Sequence, residues 1–160
     1  TENRLTLDKI EPFSSFNKKD VLLYATLASR AEDQDPIDNA IITRTKKVVG
    51  VNIIKSYKIK KYKPFDPISK RTEATISKSK NVNFKVTKGA PQVILSIIHN
   101  KKNIAQDVEK RVNILAKKGY RALGVAKTDK YGKWQFLGLI PLFDPPRKDS
   151  AKTIQAAESM

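Results

Sequence analysis

The 160-residue chain has no cysteine and only one histidine, one tryptophan and one methionine. Without cysteine there is no disulfide framework, no thiolate metal site and no cysteine nucleophile. His99 alone cannot form a two-histidine zinc motif. With no GxSxG elbow beside it, a serine hydrolase is excluded as well. In the sequence Ile97-Ile98-His99-Asn100-Lys101 the imidazole lies at a helix end, where it suits the negative pole of the helix dipole and needs no further role. The six glycines never fall into GxxxxGK[ST] or GxGxxG, so neither a Walker loop nor a dinucleotide fingerprint is present. Long apolar runs are missing too. Val93 to Ile98 and the proline-broken stretch Trp134 to Phe143 fall short of the 18 or more residues a membrane helix requires. Acidic residues are scarce, with 16 Asp and Glu against 32 Lys and Arg, giving a formal charge of +16 and a pI near 10.0.

What the chain does have is material for a core. Apolar residues make up 39% of the sequence, and a chain of this size buries roughly 70% of the surface it exposes when unfolded. The pattern predicts a helix from about Asn17 to Ala31, where Val21, Leu22, Tyr24, Ala25 and Ala28 recur at helical spacing behind the caps Asn17 and Asp20. A second helix begins with Asp35 as cap and Pro36 in its first turn and is ended by Gly50. Strands are expected over Ile53 to Phe65, Thr72 to Ser77 and Asn83 to Thr87, the first alternating apolar and polar around Ile59. Pro91 opens a short helix through Ile98. Ile104, Val108, Val112 and Leu115 define a longer one that Gly119 terminates. Arg121 to Lys127 and Trp134 to Phe143 complete the sheet, joined by a turn over Asp129 to Gly132. The mixture lacks strict βαβ alternation and predicts an α+β fold, a largely antiparallel sheet flanked by helices.

Thr87-Lys88-Gly89-Ala90-Pro91 combines a strand end, a lysine, small residues and a helix start. That geometry would let a ligand approach the backbone at Gly89 while the ammonium reaches an anion. At Asp144-Pro145-Pro146-Arg147 the chain becomes stiff and extended, as in a linker, and Ser150 to Met160 has the pattern of a helix with no stop signal. The opening TENRLTLDKI carries charges where a signal peptide would need its apolar run. Together these ends suggest a piece of something longer.

Several segments resemble the nucleotide-binding domain of P-type ATPases, most closely the plasma-membrane proton-pump branch. They are Thr1 to Thr6, Asp35 to Ile41, Phe65-Asp66-Pro67 with Lys70-Arg71-Thr72, Lys88 to Pro91, Gly119-Tyr120-Arg121-Ala122-Leu123, and Asp144 to Arg147. The similarity extends over nearly the whole chain and implies a division into a connection from the phosphorylation domain (1–8), the nucleotide-binding domain (9–143) and a hinge leading back (144–160). It also implies site roles. Phe65 would stack on adenine, and Asp38 would accept a hydrogen bond from the adenine amine, where many relatives carry Glu. Lys88 would line the deep end of the pocket with Gly89 leaving space beside it. Lys70 would lie near the ribose and phosphates, Arg121 would pair with a phosphate oxygen, and Leu123 would form an apolar wall. Asp144 and Arg147 would serve the hinge.

The family passes the γ-phosphoryl of ATP to an Asp in a DKTGT loop of a separate domain that also holds Mg²⁺, and no DKTGT occurs in these 160 residues. The resemblance therefore implies a monomeric piece that binds ATP weakly without hydrolysing it. In the whole pump it would be a cytoplasmic domain of an integral plasma-membrane protein, working with the phosphorylation and actuator domains. The rival reading from charge is a basic nucleic-acid-binding module, suggested by Lys55 to Lys63 with Tyr57 and Tyr62 interleaved. The 25 Lys to 7 Arg and the absence of an RRM, KH or zinc pattern weigh against nucleic acid as partner.

Overall fold

The computed structural model describes residues 5–99 and 101–144. The described chain forms one seven-stranded antiparallel sheet with helices on both faces, the α+β architecture expected. Helix α1 spans Lys18–Leu27 and α2 spans Pro36–Val48. Asn17 and Asp20 form a reciprocal capping box at the start of α1, each side chain accepting from the other's backbone N–H at 2.9–3.0 Å. Asp35 caps α2 by accepting from the N–H groups of Ile37 and Asp38, with Pro36 in the first turn. Predicted to reach Ala31, α1 stops at Leu27. Ser29 then donates to the Ala25 carbonyl, and a 3₁₀ turn at Ala31–Asp33 leads into α2.

The strand expected from Ile53 begins later. Gly50, at φ +104°, ends α2, but the chain resumes as a short helix α3, Val51–Lys55, before strand β3, Lys58–Lys63. Ile54 and Tyr57 reach one apolar cluster at the helical spacing of three, so packing there favours helix over alternation. Ile59 pairs with buried Ile76 yet is itself exposed on this edge strand, and the register shifts between it and Lys61. Strands β4 (Arg71–Ser79), β5 (Val82–Gly89), β6 (Arg121–Thr128) and β7 (Trp134–Phe143) match the predicted ones within a few residues. Two short strands were not anticipated: β1, Thr6–Leu7, and β2, Glu11–Pro12, both of which pair with β7. Two residues are too few to show a period, and their pairing is set by β7.

The sheet order is β1-β7-β6-β5-β4-β3. One face carries α1 and α2, where Val21, Leu22, Ala25 and Ile41 pack on Val125, Leu137, Ile140 and Leu142. The other carries α4, Pro91–Ile97, and α5, Ala105–Lys117, over Ala126, Phe136 and Leu139. Each of the valine, leucine, isoleucine and phenylalanine side chains among them contributes roughly 1.5–3 kcal/mol on burial. Packing is close at Gly138, where a Cβ would lie 2.6 Å from the Glu11 carbonyl and 2.8 Å from Val21. Buried hydroxyls fix the first face to the sheet. Thr26 donates to Thr45 at 2.6 Å, tying α1 to α2, and Thr72 on β4 donates to the Ala28 carbonyl at 2.7 Å. That last bond pins the end of α1 over β4, where Thr72 also lines a cleft.

Candidate functional site

On the α1–α2 face a cleft of about 450 Å³ opens where β3, β4, β5 and β6 meet the start of α2. Six of the seven nucleotide-binding residues named from the sequence line it: Asp38, Phe65, Lys70, Lys88, Gly89 and Leu123. They come from five separate stretches of chain. Sheet register brings Lys88 opposite Val125, two residues from Leu123, and opposite Thr72, two residues from Lys70. A larger groove of about 700 Å³ between β1 and α2 contains none of them.

Phe65 forms the mouth. It is 60% exposed, an unusual state for a phenylalanine that leaves a free aromatic face. Lys70 is exposed and left-handed (φ +59°), its N–H bonded to the Asp66 carbonyl at 2.6 Å in a tight turn. Such a conformation in a residue other than glycine costs on the order of 1 kcal/mol and needs support from its surroundings. Gly89 supplies some of it. A Cβ there would lie 2.5 Å from the Lys70 carbonyl and 2.8 Å from the Arg71 Cβ, so the missing side chain makes room for the neighbouring strand. The expectation that Gly89 clears space beside Lys88 gains this second, structural reason.

The deep end is ionic. Lys88 Nζ lies 2.7 Å from Asp38 Oδ1, and both side chains are over nine-tenths buried. Asp38 Oδ2 accepts the Arg30 backbone N–H at 3.1 Å. The anion that Lys88 meets is thus a carboxylate of the same chain, which satisfies a charge pair that would otherwise be costly to bury. A carboxylate offers about four acceptor positions, so Asp38 keeps acceptor capacity toward the cleft.

Asp33, Asp35 and Tyr62 also line the cleft, although none is expected as a site residue from the sequence: Asp35 reads as a helix cap within the Asp35 to Ile41 segment, and no local pattern marks the other two. Burial, then the carboxylates of Asp38, Asp33 and Asp35, push the Tyr62 phenol up to about 12, with Arg30 partly opposing them. It stays a neutral O–H donor at ordinary pH. Its ring has the Arg30 guanidinium over one face at 5.4 Å. The tyrosines interleaved among the lysines of β3 therefore face inward, Tyr57 packing with Tyr24 and Phe84.

Arg121 does not line the cleft. It lies two residues before Leu123 on the same side of β6, about 7 Å further along the strand, and its guanidinium is 2.8 Å from Asp144 in a half-exposed pair. Asp144, expected at the hinge, is therefore tied to a residue expected at the phosphates. Arg147 and the helix expected over Ser150 to Met160 lie outside the described residues. Among the described residues no three His, Cys, Asp or Glu side chains gather as a metal site, and no helix is long and apolar enough to cross a membrane.

No family model matches the chain. Curated relatives do match, along its entire length. It is 48% identical over 160 residues to a provisionally named cation-transporting ATPase of Methanocaldococcus jannaschii. It is 40% identical over 164 aligned positions to a provisionally named plasma membrane ATPase of Dictyostelium discoideum. The chain spans 20% and 15% of those two proteins. Among solved structures, a zinc-transporting PIB-type ATPase in its E2·Pi state shares the fold, with a TM-score of 0.59 at 18% identity. That match covers 98% of this chain and 22% of the other. Sequence and fold thus define the class: the chain belongs to the P-type ATPases. More particularly, it is similar to one segment of the proteins named a cation-transporting ATPase and a plasma membrane ATPase.

Proposed function

We propose that the chain is the nucleotide-binding domain of a cation-exporting P-type ATPase, and that the 450 Å³ cleft takes the adenosine end of ATP. The observation that carries this reading is the convergence of an exposed Phe65 ring, apolar Leu123 and Ile37, and a buried Asp38–Lys88 pair in one cleft. A flat heteroaromatic base can stack on Phe65 while its polar edge meets Asp38 and Lys88 at the floor. Lys70 at the mouth then faces the ribose and phosphates, and Arg121, one step along β6, becomes a phosphate partner on release from Asp144.

Nothing in the cleft pairs a nucleophile with a base, so its chemistry is binding and orientation. Phosphoryl transfer needs mainly positioning and charge stabilisation. Here the nucleotide would be presented, with its Mg²⁺, to an acceptor Asp in another domain. Alone, the domain binds without turnover. Residues 1–8 and 144–160 would form the two-way connection to the phosphorylation domain, consistent with Thr6 pairing with Phe143 so that both strands run side by side. In this reading the domain is cytoplasmic, works with the phosphorylation and actuator domains, and is monomeric when isolated. Proton export rests on resemblance to the plasma-membrane branch.

The test is Phe65→Ala. Stacking on an aromatic side chain is worth roughly 1–3 kcal/mol, so affinity for ATP and for adenosine should fall alike, by about 5- to 150-fold. The exposed position predicts little change in stability. A variant that binds both ligands as well as the parent would remove the cleft from consideration.

A further inference from the structure

The second face of the sheet is only half covered. The apolar cluster of α4 and α5 includes no residue of β3, β4 or β5; α4 does meet β5, but the lysines of β3 and Lys85 of β5 are exposed outside that cluster. Residues paired across antiparallel strands project to the same side. The register gathers Lys58, Lys61 and Lys63 of β3, Arg71, Glu73 and Thr75 of β4, and Lys85 of β5 on the open side. Five cations there face one carboxylate.

Glu73 is shared three ways. Arg71 holds one oxygen at 3.0 Å, while Lys63 and Lys85 approach the other only to 3.9 and 4.0 Å. Arg71 is also occupied by Thr87 and by the Trp134 ring. Lys58, Lys61, Lys63 and Lys85 are all exposed. Like charges crowded on one sheet face oppose one another, and this face leaves most of that repulsion unanswered.

We propose that the open face of β3–β5 is a docking surface for an acidic polypeptide segment. Charge complementarity selects an anion, and the shape is a flat face rather than a pocket. The aromatic residues of β3 separate a polypeptide from single-stranded nucleic acid: Tyr62, like Tyr57 just before the strand, packs toward the opposite face, so the lysine face presents no stacking platform from that strand. Lysine ammoniums, compact and strongly hydrated, suit a run of carboxylates and lack the fork that favours phosphate. Lysines along β3 also discourage strand addition at that edge, which directs a partner onto the face.

The probe is a ten-residue polyglutamate peptide titrated into the ¹⁵N-labelled chain saturated with ATP, beside a thymidine oligonucleotide of equal charge. Amide shifts should concentrate at Lys61, Lys63, Glu73, Thr75 and Lys85. The triple variant Lys61→Glu, Lys63→Glu, Lys85→Glu should bind the peptide at least about tenfold more weakly. A control triple with the same charge change, Lys18→Glu, Lys19→Glu, Lys117→Glu, should lose less than about threefold. A Gln triple at the three face positions guards against misfolding of the Glu variant and should also weaken binding. Equal losses in face and control triples, shifts spread over the whole surface, or tighter binding of the oligonucleotide would overturn the proposal.

Discussion

Replacing Lys88 with methionine keeps most of the side-chain volume and removes the charge. Asp38 would then be a carboxylate about 5% exposed, held only by the Arg30 N–H at 3.1 Å. Breaking a buried pair from one side costs about 3–5 kcal/mol, because the remaining charge is left without its partner. For a domain of this size each kcal/mol moves the melting temperature by roughly 2–4 °C, so Lys88→Met should melt about 6 to 20 °C lower. The double variant Asp38→Asn, Lys88→Met removes the stranded charge and keeps an acceptor for the Arg30 N–H. It should recover at least half of that loss, so the two substitutions should be strongly non-additive in a double-mutant cycle. Thermal unfolding followed by circular dichroism, with urea titrations for the free energies, measures all four corners. A single variant within about 2 °C of the parent, or a double variant no better than the single, would refute the account of the cleft floor.

Gly89→Ala should destabilise by about 1–3 kcal/mol, since its Cβ meets the Lys70 carbonyl and Arg71; urea unfolding measures it, and an unchanged midpoint would contradict the close approach. Asp144→Asn should leave stability within about 1 kcal/mol, as expected for a half-exposed pair, yet tighten ATP binding relative to adenosine by freeing Arg121. Calorimetric titration of both ligands reads the difference, and equal changes for the two would count against a role for Arg121 at the phosphates. Tyr62, pushed up to about 12, should ionise well above the ordinary value of 10.0. Because its folded value is the raised one, its stabilising contribution is complete below pH 10 and fades as pH rises toward 12. Ultraviolet difference titration of Tyr62→Phe against the parent isolates it, and a phenolate appearing near pH 10 would contradict the crowding by Asp38, Asp33 and Asp35.

Most of the helices and strands were legible in the sequence because their signals are local. Asn17, Asp20, Asp35 and Pro36 cap by contacts within three residues, and Gly50 and Gly119 adopt positive φ where helices end. The start of β3 differs from the expectation because the β-branched Ile53, Ile54 and Ile59 suit a strand, whereas Ile54 and Tyr57, three apart, both pack beside Tyr24 and Phe84, which a strand would not allow. Strands β1 and β2 exist through their pairing with β7, a long-range property. At the site, short motifs flagged six cleft residues that only the sheet register brings together. The Asp38–Lys88 and Arg121–Asp144 pairs join residues 50 and 23 positions apart along the chain. No local pattern encodes such pairings, so Lys88, expected at the deep end of the pocket with its ammonium toward an anion, and Arg121, expected at a phosphate oxygen, are found already holding carboxylates.

The most direct test of the central claim is an ATP titration of the ¹⁵N-labelled chain followed by backbone amide shifts. The account predicts saturable shifts at Asp38, Phe65, Lys70, Lys88, Gly89 and Leu123, largely reproduced by adenosine and weaker with GTP. Shifts that leave these residues unmoved, or that follow phosphate number whatever the base, would contradict it.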